Sequence, residues 1–273
     1  QSINIVPASI WSNKKGFKKA LSKFSNQTNG SINRKTTDDN SFNQYNPFAL
    51  NTTADFLLST NAQIRNSLYF NRMNSSFSAE YTHLRLLNKN LFVYGFEGQA
   101  NEENLFPLGW NATMLFSLFP SARLGSFKSI KDAFDLKNYV FDYEDYKLKG
   151  QVQKGSNLRF ALNIQRYLAN DLVTKTANVK RDLIGAEFTY SKAMAGVVTF
   201  KLDYIQINFT GEKNYPIGFA MLNGLKPRQN VTWSVITNYQ ISKQAQIGVN
   251  YEGRYSETNK VIQTGSVNAR WLF

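Results

Sequence analysis

The chain holds a single imidazole, His83, in the run Glu80-Tyr81-Thr82-His83-Leu84-Arg85, and it has no cysteine. One His cannot build a His-based zinc centre, and without thiols there is no disulfide framework, thiolate metal site or Cys nucleophile. A hydrolytic base on a strand needs a nucleophile on its own face, two residues away, and there His83 has Arg85. The carboxylates Asp142, Glu144 and Asp145 are close enough in sequence to bind calcium in a loop. With Lys147 and Lys149 beside them, pairing at an exposed strand end is the expectation, a contact of small energetic value. Glycine-rich phosphate loops are missing too. The residue types therefore point to a non-enzyme with no cofactor and no metal.

Composition narrows the class. Lys and Arg number 32 against 19 Asp and Glu, a net charge of +13, yet charged residues are only 19% of the chain, below the roughly 25% of an ordinary soluble domain. The basic residues are spread through the strand-like segments, and no nucleic-acid-binding motif accompanies them. No nucleic-acid partner is expected. The chain opens on Gln1 without a secretory signal pattern, which reads as a processed mature chain or the C-terminal part of a longer one.

A spanning helix would need about 20 apolar residues, and the stretch from Asn104 to Ala122 comes closest. Pro107, Gly109, Asn111 and Pro120 interrupt it, while Phe106, Leu108, Trp110, Ala112, Met114, Phe116 and Leu118 all fall at even positions. The period is two, the signature of a strand with one apolar face. The pattern recurs. Val231, Trp233, Val235, Thr237 and Tyr239 alternate with Thr232, Ser234, Ile236 and Asn238; Ala245, Ile247, Val249 and Tyr251 alternate with Gln246, Asn250 and Glu252. Leu158, Phe160, Leu162 and Ile164 stand opposite Arg159, Asn163 and Gln165, and Ile184, Ala186, Phe188 and Tyr190 opposite Glu187, Thr189 and Ser191. Near Tyr204 and Ile205 the apolar parity switches, as a β-bulge would make it.

Twelve such segments are expected, with fourteen as the alternative: 61–72, 76–86, 90–99, 105–118, 121–130, 137–152, 156–168, 180–192, 196–210, 229–241, 244–256 and 260–273. Several exceed the usual globular strand and match the 9–11 residues of a tilted membrane strand. Short turns at Asn88-Lys89-Asn90 and at Lys243 alternate with longer loops at Asn170 to Val179 and Gly211 to Arg228. The polar face is rich in amides and hydroxyls, and only closure satisfies every backbone group of such strands in lipid. The expected fold is all-β: a transmembrane antiparallel up-and-down β-barrel over 51–273. Charges are cheap only inside it, which places Arg159, Glu187, Glu252, Arg254 and Arg270 in the lumen, with both glutamates paired to arginines.

The chain end Val267, Ala269, Trp271, Phe273 resembles the terminal signal read by the bacterial outer-membrane assembly machinery, with Asn268 where glycine is usual. A second resemblance covers the last four-fifths. Asn46-Pro47-Phe48, Arg65-Asn66-Ser67-Leu68-Tyr69-Phe70-Asn71-Arg72, Tyr94-Gly95-Phe96-Glu97, the run from Tyr215 to Pro227, Tyr251-Glu252-Gly253-Arg254 and Thr264-Gly265 together resemble the C-terminal β-barrel region of large Bacteroidota cell-surface proteins. The likeness departs at Gln99, where that family has Arg, and at Gln263, where it has His. It implies the outer membrane of a Gram-negative bacterium and a longer N-terminal portion. The implied partners are outer-membrane lipid and lipopolysaccharide, the assembly machinery and other envelope proteins.

Residues 1–50 read as an extension. Phe17, Leu21 and Phe24 share a helical face, flanked by Lys14 and Lys18: a short basic amphipathic helix, serving as a plug of the barrel mouth or as an interfacial anchor. Asn26 to Gln44 reads as a linker. Two functions fit such a chain. It is a non-enzymatic anchor or component of a surface complex, or it is a substrate-conducting pore.

Overall fold

The computed structural model describes residues 2–5, 24–36, 48, 57–70, 76–134, 137–192, 195–212, 214–242, 244–257 and 259–271. Thirteen strands follow one another: β1 (Ser2–Ile5), β2 (Phe24–Thr36), β3 (Leu57–Phe70), β4 (Phe77–Phe92), β5 (Gly95–Asn111), β6 (Phe116–Lys131), β7 (Tyr139–Lys154), β8 (Leu158–Asp171), β9 (Asn178–Lys192), β10 (Gly196–Thr210), β11 (Arg228–Gln240), β12 (Ala245–Ser256) and β13 (Asn259–Trp271). A seven-residue helix, α1 (Pro216–Leu222), lies between β10 and β11. Each strand pairs antiparallel with the next in one sheet, the up-and-down order. Twelve of the strands run 12–17 residues.

Directly opposed residues on paired strands share a face, so the register assigns every side chain a side. From Thr264 the line runs through Glu252, Ser234, Lys201, Glu187 and Ala161 to Gln151. α1 packs against this side, touching β7 and β9 from its place after β10, so it is the concave, lumen side. The other side carries an apolar band. On β8 it shows Leu158, Phe160, Leu162 and Ile164, and on β10 Val198, Phe200, Leu202 and Tyr204, nearly all strongly exposed. On these two strands the band is seven residues long, about 23 Å of chain. Beyond it, at the end where α1 sits, the outward positions turn polar: Asp142 and Glu144, Arg166 and Asn170, Lys180 and Asp182, Gln206 and Asn208. Among the described residues no ladder joins β13 to β1, and β13 is exposed from Val261 to Trp271.

Four expectations need correction. The segments 90–99 and 105–118 are not separate strands: β5 runs unbroken from Gly95 to Asn111, and 112–115 form its turn into β6. The last ladder pair, Asn111 and Ser117, encloses an odd number of residues, 112–116, so Trp110 opposes Leu118 with parity conserved, and alternation alone cannot see the reversal. Asn88, Lys89 and Asn90 lie inside β4, opposite Gln99, Gly98 and Glu97. The reversal falls at Val93-Tyr94, where Gly95 takes φ 118°, a conformation glycine supplies at no steric cost. There is no bulge near Tyr204, because β10 keeps continuous register with both neighbours. Finally, Phe24 belongs to no helix and 26–36 to no linker: Phe24 opens β2, its ring 4.8 Å from that of Phe70. Lys14, Phe17, Lys18 and Leu21 lie outside the described residues, as does Phe273.

Candidate functional site

The lumen side at the polar end of the sheet gathers the groups that can act on a solute. Phe141 and Tyr143 of β7, Tyr167 and Ala169 of β8, Val179 of β9, and Ile205 and Ile207 of β10 form a buried apolar patch. On it rests α1, through Met221 and Leu222. The local sequence explains the helix. Pro216 occupies its first position, where a missing N–H costs nothing. Ile217, Ala220 and Met221 recur at helical spacing. Asn223 caps the end at φ 52°, with Gly224 following at φ 72°.

The patch also accounts for the parity switch in β10. Val198, Phe200, Leu202 and Tyr204 face outward in the apolar band, whereas Ile205, Ile207 and Phe209 face inward beneath the helix. β7 repeats the change, with Tyr139, Phe141 and Tyr143 inward and Tyr146, Leu148 and Val152 outward. The inward-seated helix α1 was not among the expected elements, and this switch, shared by neighbouring strands at one level, was the signal for it.

Below the patch lies a charge cluster. Arg123 of β6 directly opposes Asp145 of β7, with Nη2 2.8 Å from Oδ2, and its Nη1 stands 3.8 Å from Glu103 of β5. Lys147 reaches Asp145 at 3.2 Å, and Gln165 donates to its other oxygen at 2.6 Å. The Tyr143 hydroxyl donates to Glu103 at 2.7 Å and lies 3.0 Å from Asn101 Oδ1. Asp145 is 2% exposed, so it is not the solvated strand-end group expected. Alternation splits the carboxylate run, sending Asp142 and Glu144 to the outer side. Among the described residues no three His, Cys, Asp or Glu are placed to hold a metal.

Of the lumen residues named from parity, all five lie on the concave side. Arg159 pairs with Glu187 at 3.1 Å, and Lys149 approaches the same carboxylate at 3.8 Å. Glu252 departs from the expectation. Among the described residues no arginine lies within 4 Å of it, and its contact is Asn250 Nδ2 at 3.2 Å. Glu252 and Arg254 instead line a cavity of about 470 Å³ with Lys201, Asp203, Thr232 and Ser234. Arg270 opposes Gln246 on the same side. Val267, Ala269 and Trp271 face outward opposite Val249, Ile247 and Ala245. His83 lies on the outer side, its Nδ1 3.0 Å from Asn104 Oδ1 and its Nε2 3.8 Å from Glu102, which also binds Arg85 at 3.2 Å.

No protein-family model matches the sequence, and no curated protein does. In structure the chain is similar to the siderophore receptor PirA from Acinetobacter baumannii, with a TM-score of 0.55 at 8% identity over 90% of this chain. The fold is that of a transmembrane up-and-down β-barrel. The match spans 41% of the receptor's length, and at this identity the likeness concerns the fold alone.

Proposed function

We propose that the chain is a non-enzymatic outer-membrane barrel whose lumen is stopped by its own β10–β11 loop, and that it serves as a membrane anchor or component of a surface complex. The observation that carries this reading is α1 seated on the lumen patch of β7–β10. A loop that buries Met221 and Leu222 on a wall of aromatic and aliphatic side chains is held there by burial, at about 1.5–3 kcal/mol for each large apolar group. The outer band supports a bilayer location: its seven residues, about 23 Å of chain, rise roughly 16–19 Å at the strand tilt of about 35–45° usual for such barrels, most of their band of about 25 Å. Outer-membrane lipid and lipopolysaccharide would then contact the band and the polar rows above it. The outward Val267, Ala269 and Trp271, through the resemblance of this chain end to an assembly signal, support the assembly machinery as a partner. The resemblance to Bacteroidota surface proteins supports other envelope proteins as partners.

A second reading, a conducting pore, draws on the 470 Å³ cavity at β10–β13, whose charged and hydroxyl lining lies largely to one side of α1. Planar-bilayer conductance separates the two. The intact chain should give no steady channels, and replacing 212–226 with a short Gly-Ser linker should open them. Steady conductance by the intact chain would overturn the anchor reading.

A further inference from the structure

Between α1 and the wall is a cavity of about 230 Å³, lined by Arg123, Arg181, Tyr143 and Tyr167 from the strands and by Met221 and Asn223 from the plug. We propose that it is a binding site for a small oxyanion, a carboxylate or phosphate group, held by Arg181.

The charges at this level do not balance. Three cations, Arg123, Lys147 and Arg181, share the space with two carboxylates, Glu103 and Asp145. Both carboxylates are already engaged. Asp145 takes Arg123 and Lys147 on one oxygen and Gln165 on the other, and Glu103 takes the Tyr143 hydroxyl and the edge of Arg123. Arg181 is left over. Its guanidinium lies 4.6 Å above the Tyr167 ring, a favourable cation–π contact that supplies no counter-charge. Its Nε is buried without a hydrogen-bond partner, and among the described residues no carboxylate lies within 4 Å.

A half-buried guanidinium that no carboxylate touches is poorly compensated, and its planar fork matches the two oxygens of a carboxylate or phosphate. The cavity is smaller than the 300 Å³ at which drug-sized pockets begin, so the occupant is a small ion or the anionic end of a longer molecule. The aromatic walls admit an apolar body behind the charge. Asn223 belongs to the plug and Arg181 to the wall, so an anion between them bridges the two and holds α1 in place. The site is compatible with an anchor and with a pore.

The test is calorimetric titration of the full chain, folded in detergent, with sodium phosphate and separately with sodium benzoate, chloride holding the ionic strength constant. Saturable binding of at least one probe is expected. It should weaken at least tenfold in Arg181→Gln and partly in Arg181→Lys, which keeps the charge without the fork. Lys154→Gln, a charge removed far from the cavity, should leave it unchanged. Heat-modifiable migration on a gel reports that each variant is folded, and Arg181→Lys carries the test if Arg181→Gln is not. Equal affinity in the Arg181 variants, or no saturable binding of either probe by the folded parent, would overturn the proposal.

Discussion

Asp145 Oδ2 lies 2.8 Å from Arg123 Nη2 across the β6–β7 ladder, and the carboxylate's other oxygen accepts a hydrogen bond from Gln165 on β8. Three strands are thus fastened at one buried group. Asp145→Asn would leave Arg123 and Lys147 facing each other without their shared anion. Removing one partner of a buried pair costs about 3–5 kcal/mol, and because Arg123 keeps some solvent contact, the lower end applies. Denaturant unfolding in lipid vesicles should show the midpoint fall, and an unchanged midpoint would show that the cluster fastens nothing.

The apolar band makes a position-dependent prediction. Leu162→Arg puts a charge in the middle of the band and should cost about 2–4 kcal/mol, while a change nearer the interface costs about 0–1. Asn170→Arg, on the same outward face of β8 but above the band, should therefore be nearly neutral. Folding yield into vesicles measures both. Equal effects would place the band wrongly.

Trp233 lies flat over Gly253 on the outer side, where a Cβ on the glycine would fall 2.1 Å from the indole ring. Gly253→Ala should displace the ring, at an overpacking cost of about 1–3 kcal/mol. Adding Trp233→Ala should remove most of that penalty. Thermal unfolding of the two single variants and the double variant gives the coupling, and additive effects would show that the two residues do not meet.

How much of this was legible beforehand depended on whether the signal was strictly local. Side chains alternate at every strand residue, so the outward set Leu158, Phe160, Leu162 and Ile164 and the inward Arg159 and Glu187 were readable from parity. The β5–β6 turn was not, because the odd number of residues between Asn111 and Ser117 leaves the alternation in phase. β2 was hidden for another reason. Its residues are polar on both faces, and its pairing with β3 is accompanied by cross-strand amide and hydroxyl contacts such as Asn26 Nδ2 to Asn66 Oδ1 at 2.8 Å, which a hydrophobic pattern cannot register. Glu252 was expected to find an arginine, yet parity fixes only the side of a wall, while distance along and around the wall decides partners.

From β7 to β10 the strands are longer than their apolar band is deep, and most of the surplus stands at one end. Arg166 and Asp182, joined at 2.6 Å on the outer side, mark where hydrocarbon gives way. Arg181 and Asp145 sit at that height or just beneath it, on the inner side of the same wall. The sheet therefore rises past the lipid as a parapet, and its charged interior is backed by headgroups and water instead of acyl chains. A solute arriving at the mouth would meet α1 and the guanidinium behind it before entering the bilayer plane.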